Sequence, residues 1–255
     1  MTQIAGHLAD EELERYARHI ILKEIGGAGQ VRLRGASVLV IGAGGIGSPA
    51  IQYLAAGGGG GNLVVAGDRV DLSNLQRQTI FATSDTGRPK AVAAMARAKA
   101  LNPHVEVGAW QHRIDRGNVD DYVGGHDVVL DGTDNFQTRL LVADAALRHR
   151  TPLVSAAVGE FEGQLGVFRG WEPDKPCYRC FIGADPERPG INCAEQGVIG
   201  ALTGLMGSLA ALEVIRAIVP FGEDSAGKLL IADTLALRFR TLTLPKDPGC
   251  PACAG

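Results

Sequence analysis

The stretch that decides the fold is Val38-Leu39-Val40-Ile41-Gly42-Ala43-Gly44-Gly45-Ile46-Gly47. Its apolar run predicts a buried strand over 37–41, and a helical pattern follows from about Ile46. Between strand and helix the glycines have the spacing G-x-G-x-x-G, which permits a tight turn and close approach of the backbone to a phosphate. The N-terminus of the helix adds N–H donors and a partial positive charge. The stretch therefore predicts a nucleotide site, without distinguishing NAD from ATP.

Outward from this stretch, apolar runs alternate with helical segments as far as about residue 160. The runs predict strands at 63–66, 105–110, 127–131 and 152–156, with helices at 46–56, at 90–101 and from the fourth strand to Leu147. This alternation indicates crossover units and a mainly parallel sheet. Later runs at 163–168, 229–232 and 237–242 surround one helix, 200–219, and predict an antiparallel extension. The fold class is therefore α/β, and we expect one domain over 1–255 with a nucleotide-binding core at 35–160.

Two further segments belong to the predicted organisation. Apolar residues at helical spacing predict an N-terminal helix over 9–22, which leaves Arg15 and Arg18 together on another face. The glycine run 57–61 is interpreted as a loose connection between a helix and a strand.

The composition excludes several classes of partner. A net charge of -3 provides no basic surface for nucleic acid or an anionic membrane. The longest apolar stretch, 198–220, contains Glu213 and Arg216, so we interpret it as a buried helix rather than a membrane span. Residues 1–5 lack the basic start and apolar run of a signal peptide, and we expect a cytoplasmic location.

Polar residues follow the predicted strands, where ligands bind in open α/β sheets. Arg77 and Lys90 follow the second strand and could both reach a triphosphate, the arginine through two-point contacts and the lysine as a point charge. Asp134 follows the strand at 127–131, and a carboxylate close to phosphates would hold Mg²⁺. Singly, each has an ordinary structural explanation, but their placement around one glycine loop favours a nucleotide triphosphate site.

The second strand lacks the acidic residue that usually binds ribose. In a dinucleotide-binding fold that residue stands at the end of the strand, where this sequence reads Ala66-Gly67-Asp68. The loss of a two-point hydrogen bond to ribose would cost about 1.5–3 kcal/mol, roughly ten- to hundredfold in affinity. Either Asp68 shifts to compensate, or ATP binds weakly, or the protein has a binding role. The change also weakens an NAD-dependent oxidoreductase interpretation.

Four of the five cysteines form two C-x-x-C pairs, Cys177 with Cys180 and Cys250 with Cys253. Two such pairs far apart in sequence predict a structural Zn²⁺ site with four thiolate ligands. Disulfides or a redox pair are the alternatives, and a cytosolic chain of this size disfavours the disulfides. Cys193 is left over, either as an inert residue or as an exposed thiol whose pKa is lowered by the helix that follows.

These motifs resemble the MoeB/ThiF/HesA family, the bacterial relatives of ubiquitin-activating enzymes. The resemblance extends from Leu13 to Cys253, and its most specific element is Ser73-Asn74-Leu75-Gln76-Arg77-Gln78. It implies a Rossmann-like ATP-binding fold, a homodimer, and adenylation of a small ubiquitin-like sulfur-carrier protein that ends in Gly-Gly. The carrier's carboxylate would attack the α-phosphate of Mg-ATP, pyrophosphate would leave, and the acyl adenylate would await a sulfur donor protein.

The resemblance also implies roles for individual residues. Arg77, Lys90 and Asp134 would serve the phosphates and Mg²⁺, and Arg18 would reach the γ-phosphate in the neighbouring subunit. Cys193, in the crossover loop 181–199, matches a cysteine that some relatives use for a thioester or persulfide linkage and others do not need. Further nucleotide contacts would come from Gly42, Gly44, Gly45, Gly47, Asp68, Ser73, Asn74, Gln76 and Asn135.

Alternative functions remain open at this point. The carrier would belong to a molybdopterin, thiamine or related sulfur pathway. A relative that adenylates tRNA or a peptide is a second possibility, although the charge balance disfavours tRNA. The third possibility is a non-catalytic or weakly ATP-binding dimer that binds a carrier protein, and it is suggested by Ala66 at the ribose-binding position.

Overall fold

One eight-stranded sheet runs through the computed structural model, which describes residues 7–183 and 197–254. Its strands are β1 (Ser37–Ile41), β2 (Gly61–Val65), β3 (Glu106–Trp110), β4 (Val128–Asp131), β5 (Leu153–Gly159), β6 (Glu162–Phe168), β7 (Lys228–Asp233) and β8 (Arg238–Thr243). They lie in the order β3-β2-β1-β4-β5-β6-β7-β8. The first five are parallel and the last three antiparallel. The predicted parallel sheet with an antiparallel extension is confirmed.

Helices cover both faces of the sheet. They are α1 (Asp10–Arg15), α2 (Ala17–Ile20), α3 (Gly26–Gly35), α4 (Gly47–Ala56), α5 (Lys90–Leu101), α6 (Val119–Gly124), α7 (Phe136–His149), α8 (Tyr178–Ile182) and α9 (Gly200–Ile218). Because side chains alternate along a strand, Val38 and Val40 of β1 pack toward α4, α5 and α9, whereas Leu39 and Ile41 pack toward α6 and α7. Both faces of the central strand are therefore buried, as its continuous apolar run predicts.

The N-terminal region differs from the predicted helix over 9–22. The helix is interrupted at Tyr16, whose ring is buried and whose hydroxyl accepts a hydrogen bond from Asn102 Nδ2 at 2.7 Å. Helix α3 was not predicted, because its four glycines have low helix propensity and hide the apolar pattern.

The glycine run is tightly packed, so its interpretation as a loose connection is wrong. A Cβ on Gly60 would lie 1.8 Å from the carbonyl oxygen of Arg34, and one on Gly58 would lie 2.5 Å from Cζ of Tyr16. Gly58 also has a φ of +78°, which L side chains rarely adopt. The glycines allow α3 and the Tyr16 ring to approach the backbone before β2.

Helix α9 is long and apolar enough to cross a membrane by length and composition. In the described structure it packs against α4, β5 and β6 and buries Met206, Ala210 and Val214. It therefore occupies the position of a core helix, as its internal Glu213 and Arg216 predicted. Leu205 and Leu212 on its outer side remain exposed.

Candidate nucleotide and metal sites

The glycine loop lies at the switch point of the sheet, between β1 and β4, where ligands bind in open α/β folds. Gly42 has a φ of +93°, and a Cβ on Gly47 would lie 1.9 Å from the Gly42 carbonyl oxygen. A Cβ on Gly45 would lie 2.9 Å from Cγ2 of Thr203 at the start of α9. The turn therefore needs glycine for its conformation and for its close packing.

The segment Ser73–Gln78 lies beside both this loop and the start of α9. Asp71 accepts hydrogen bonds from the Ser73 amide at 2.8 Å and the Ser73 hydroxyl at 2.5 Å, and these bonds lower the pKa of its carboxyl. Arg77 Nη1 donates to the Ser73 carbonyl at 3.3 Å. A Cβ on Gly200 would lie 2.2 Å from the Gln76 carbonyl oxygen, so α9 packs directly on this segment. The backbone of the segment is therefore held by the hydrogen bonds of Asp71 and by its contact with α9.

Lys90 is a buried cation at the first position of α5. Its backbone amide donates to the Asp68 carbonyl at 2.9 Å, and within the described residues its ammonium has no hydrogen-bond partner. Burial lowers the pKa of the ammonium, and Arg77 lowers it further, while Asp68, Asp134 and Asp71 oppose the shift. Lys90 is therefore close enough to both Arg77 and Asp134 for their charges to act on it. An anion placed among them would compensate the buried charge.

Asp134 and Asn135 lie in the loop between β4 and α7. The Asp134 side chain is exposed and makes no hydrogen bond or ion pair with the residues that the structure describes, so its oxygens are available to a cation. Asn135 is the N-cap of α7, and its Oδ1 accepts from the Thr138 amide at 2.9 Å. Its oxygen is therefore engaged in the helix cap.

A buried polar cluster under this loop was not identified from the sequence. Arg139 on α7 donates to Ser155 Oγ at 3.1 Å, to the Ala156 carbonyl at 2.7 Å and to the Thr133 carbonyl. Its Nη1 also lies 3.6 Å from Asp131 Oδ2. Asp131 in turn accepts from the Thr133 amide and hydroxyl. The sequence feature that could have indicated this cluster is Asp131, because a carboxylate at the end of a fully buried strand requires a buried partner.

The end of β2 is built differently. Ala66 follows the strand, is partly buried, and donates its amide to the Trp110 carbonyl at 3.0 Å. Asp68 is exposed and pairs with Arg113 at 3.3 Å, also in solvent. Asp68 therefore lies near Lys90 both through its backbone and through its charge, while its carboxylate forms an ion pair with Arg113.

Arg18 is not brought to the glycine loop of its own chain. It is exposed on α2, beside His19, whose Cε1 would lie 3.2 Å from a Cβ on Gly57. Gly57 follows the last residue of α4, whereas the glycine loop ends at its first residue, Gly47. Ten helical residues span on the order of 15 Å, so the two features lie at opposite ends of α4.

The four paired cysteines converge as predicted. Their sulfur atoms all lie within 4.8 Å of one another, and no disulfide links them. Separations of 3.5 Å join Cys177 to Cys250 and Cys180 to Cys253, which brings the two pairs together. Next to the first pair, Arg179 makes a two-point ion pair with Asp144 of α7, at 2.7 and 2.8 Å. The cluster suits a tetrahedral metal ion and is tied to the helix that begins after Asp134.

Cys193 lies outside the described residues, together with most of the predicted crossover loop 181–199. The chain re-enters the described structure at Gly197, whose carbonyl accepts from the Glu160 amide at 2.8 Å. From there it leads into α9, beside the segment that ends at Gln78.

The sheet order, the glycine loop and the charged groups at the strand ends are those of the class of α/β nucleotide-binding folds, and a four-thiol cluster suited to a metal ion accompanies them. More specifically, the chain belongs to the ThiF family, whose model matches residues 16–252.

Named relatives extend over nearly the whole chain. It is 46% identical to the sulfur carrier protein adenylyltransferase of Thermus thermophilus, covering 95% of this chain and 91% of the relative. It is 45% identical to the SAMP-activating enzyme E1 of Haloferax volcanii, covering 95% and 89%. For the molybdopterin-synthase adenylyltransferase of Salmonella typhimurium the identity is 37%, covering 97% and 99%. The predicted family is confirmed.

Solved structures show the same fold at lower identity. Escherichia coli MccB superposes with a TM-score of 0.82 at 20% identity, covering 97% of this chain and 73% of MccB. A structure of MccB with ATP has a TM-score of 0.79 at 19% identity, covering 98% and 83%. At such identity the likeness supports the fold alone.

Proposed function

We propose that this chain is an adenylyltransferase that uses ATP to activate the C-terminal carboxylate of a small carrier protein. The observation that carries the proposal is the grouping of Arg77, Lys90 and Asp134 around one glycine loop. The chain is also 46% identical, over 250 residues, to a protein named as a sulfur carrier protein adenylyltransferase. An oxidoreductase would leave these three charged groups without an evident task.

In this proposal the residues act by positioning and by charge neutralisation. The glycine-loop backbone lies beneath the nucleotide and Asn74 orients it, while Arg77 and Lys90 bind the phosphates. The carrier's carboxylate attacks the α-phosphorus, the bond to the bridging oxygen breaks, and pyrophosphate leaves. Because attack brings two anions together, neutralising charge and holding them in line supply most of the acceleration. Asp134 has free oxygens for Mg²⁺, which would supply further neutralisation of the phosphates.

The preferred substrate is a ubiquitin-like sulfur carrier with a C-terminal Gly-Gly. Support comes from the names of the relatives that are more than a third identical and nearly coextensive with this chain. None of these names points to tRNA or to a peptide, so the alternative of a relative that adenylates either is the weaker candidate. A sulfur donor would then act on the acyl adenylate, and Cys193 is a candidate for a covalent linkage in that step.

We further propose a homodimer in which Arg18 of one subunit completes the other's site. Arg18 is exposed and lies at the far end of α4 from its own glycine loop. Helices α4 and α9 pack on each other, and both expose apolar side chains, Tyr53 on α4 and Leu205 and Leu212 on α9. A second subunit would cover such a surface.

The test of the enzymatic proposal is ATP–pyrophosphate exchange. We expect exchange that requires Mg²⁺ and a carrier with an intact Gly-Gly tail, and that is lost with the same carrier lacking its last residue. Absence of exchange with every candidate carrier, together with undetectable ATP binding, would contradict the proposal. Tight binding of a carrier without exchange would favour the non-catalytic alternative.

The shared site is tested by mixing two inactive variants. Arg18→Ala and Asp134→Ala should each abolish exchange, and a mixed dimer should regain part of it, because one of its two sites keeps both residues. Activity that stays at zero in verified mixed dimers would contradict the cross-subunit role.

The four-thiol cluster is proposed to hold a structural Zn²⁺, with no position left open for a substrate. We expect one zinc per chain by metal analysis, and a lower melting temperature after removal by a chelator. A closed four-thiolate site has no position for a nucleotide, so Cys250→Ser should reduce stability more than the affinity for ATP. A cytoplasmic location is part of the same proposal.

A further inference from the structure

The end of β2 meets the glycine loop at a place where a carboxylate would contact ribose. The Gly42 amide donates to the Val65 carbonyl at 2.9 Å, so the last residue of β2 touches the first glycine of the loop. In dinucleotide-binding folds an acidic side chain after this strand binds the ribose hydroxyls. Here Ala66 follows, and its methyl group packs against the apolar core cluster of that face. An apolar group therefore occupies the ribose-binding position.

The neighbouring acid does not replace the missing group. Asp68 lies two residues further on, has 61% of its side chain exposed, and pairs with Arg113. A Cβ on Gly67 would lie 2.9 Å from Cγ of Arg113, so the arginine stem lies beside the backbone between Ala66 and Asp68. An exposed carboxylate bonds to water when a ribose hydroxyl is absent, so it discriminates little between nucleotides with and without that hydroxyl.

Selectivity for a hydroxyl comes from buried partners that would be left unpaired without it. A site with such a group rejects the deoxy analogue strongly, whereas an apolar site tolerates either compound. We propose that Ala66 makes this chain tolerant at the 2′ position of ribose, so that ATP and 2′-deoxyATP are used with similar efficiency. Ala66 is then the residue that determines ribose specificity. The part of this inference that concerns exchange rates rests on the proposed adenylation. The part that concerns nucleotide affinity does not depend on it.

The experiment compares ATP with 2′-deoxyATP in pyrophosphate exchange and by calorimetric binding to the full chain. For the natural chain we expect values of kcat/KM, and of Kd, that agree within about threefold. Ala66→Asp should raise the preference for ATP to about tenfold or more, the gain expected from a hydrogen bond to a charged group. Ala66→Ser tests the same position with a smaller polar group, in case the carboxylate disturbs packing. Asp68→Asn should leave the ratio unchanged.

The outcomes separate the inference from the proposed function. A preference for ATP clearly above about threefold in the natural chain overturns the inference, and so does a preference that appears only when Asp68 is intact. If neither nucleotide supports exchange but both bind equally, the adenylation proposal fails and the ribose inference stands. If neither nucleotide binds, both are overturned.

Discussion

The ends of β4 and β2 lie on either side of β1 at the same edge of the sheet, yet they are built in opposite ways. After β4, Asp131 and Arg139 are buried and connected by hydrogen bonds to the surrounding backbone. After β2, Ala66 offers a methyl group, and the only ion pair there among the described residues, between Asp68 and Arg113, is in solvent. With ATP placed as proposed, buried and hydrogen-bonded groups support the loop beside the phosphates and the metal, whereas an apolar group lies where ribose binds.

Removing one arginine from each end is the strongest test of this difference. Arg139→Leu breaks a buried ion pair and leaves the Asp131 carboxylate uncompensated, which typically costs about 3–5 kcal/mol. Arg113→Leu removes an exposed pair worth about 0–1 kcal/mol. Urea unfolding of both variants measures the free energies of unfolding. Equal losses would show that the two ends do not differ in this way.

Arg139→Lys distinguishes loss of charge from loss of geometry. It keeps the positive charge but not the planar fork that contacts Ser155, Thr133 and Ala156 together. We expect a free energy of unfolding between those of Arg139→Leu and the natural chain. Exchange should need a higher Mg²⁺ concentration, because the loop that leads to Asp134 is then held by fewer hydrogen bonds. Full recovery by lysine would mean that charge alone matters.

The second prediction compares the two exposed carboxylates. Asp134→Asn should lower kcat for exchange about 10²- to 10³-fold, the loss typical of removing one preorganised charge from a transition state. Asp68→Asn should lower it by less than about tenfold, because its carboxylate, although close enough to act on Lys90, is exposed and already paired with Arg113. Rates at saturating ATP over a range of Mg²⁺ concentrations measure both effects. A larger loss in Asp68→Asn would reverse the proposed assignment of the metal-binding group.

A third, smaller effect concerns the cap of α7. Asn135→Ala removes the acceptor for the Thr138 amide and should cost about 1 kcal/mol of stability. Asn135→Asp keeps an acceptor and adds negative charge at the helix N-terminus, so it should retain that stability. If Asn135→Ala changed the Kd for ATP without changing stability, the resemblance-based assignment of Asn135 to the nucleotide would be preferred.

Sequence patterns predicted most of this edge of the sheet, for identifiable reasons. Helix α5 begins and ends where predicted, since Pro89 precedes it and its alanine-rich run has high helix propensity. Strand β1 and the glycine loop were equally clear, because a buried parallel strand requires a continuous apolar run. Helix α3 and the packed glycines before β2 were missed, because glycine has no side-chain pattern to read.

The candidate site was predictable in residue type but not in partnership. Lys90, Arg77 and Asp134 were found because they follow strands that must end at one edge. Arg139 was not found, because it lies on a helix as an ordinary surface-type residue and only packing shows that it is buried. Likewise, only the structure shows that Arg18 lies at the far end of α4 from its own glycine loop.

Lys90 connects the two ends, since its amide bonds to the Asp68 carbonyl and its ammonium interacts with the charges of both Asp68 and Asp134. Burial holds the pKa of this ammonium below that of the unfolded chain, so its charge destabilises the folded state. Between the lowered and the ordinary pKa the unfolded chain binds more protons, and stability rises with pH across that window. The buried charge is therefore a cost that an ATP phosphate would compensate.

Lys90→Met should separate that cost from its function. We expect a gain of about 1 kcal/mol in the free energy of unfolding at neutral pH, the low end of the cost of burying an unpaired polar group. The gain should diminish toward alkaline pH, and exchange activity should be lost. Lys99→Met, on the exposed side of the same helix, is the matched control and should show neither effect. Denaturation at neutral and alkaline pH measures the gain. A Lys90→Met variant that is less stable than the natural chain at both pH values would mean that the ammonium has compensating partners. The buried charge at Lys90 would then be stabilised in the same way as the buried charges after β4.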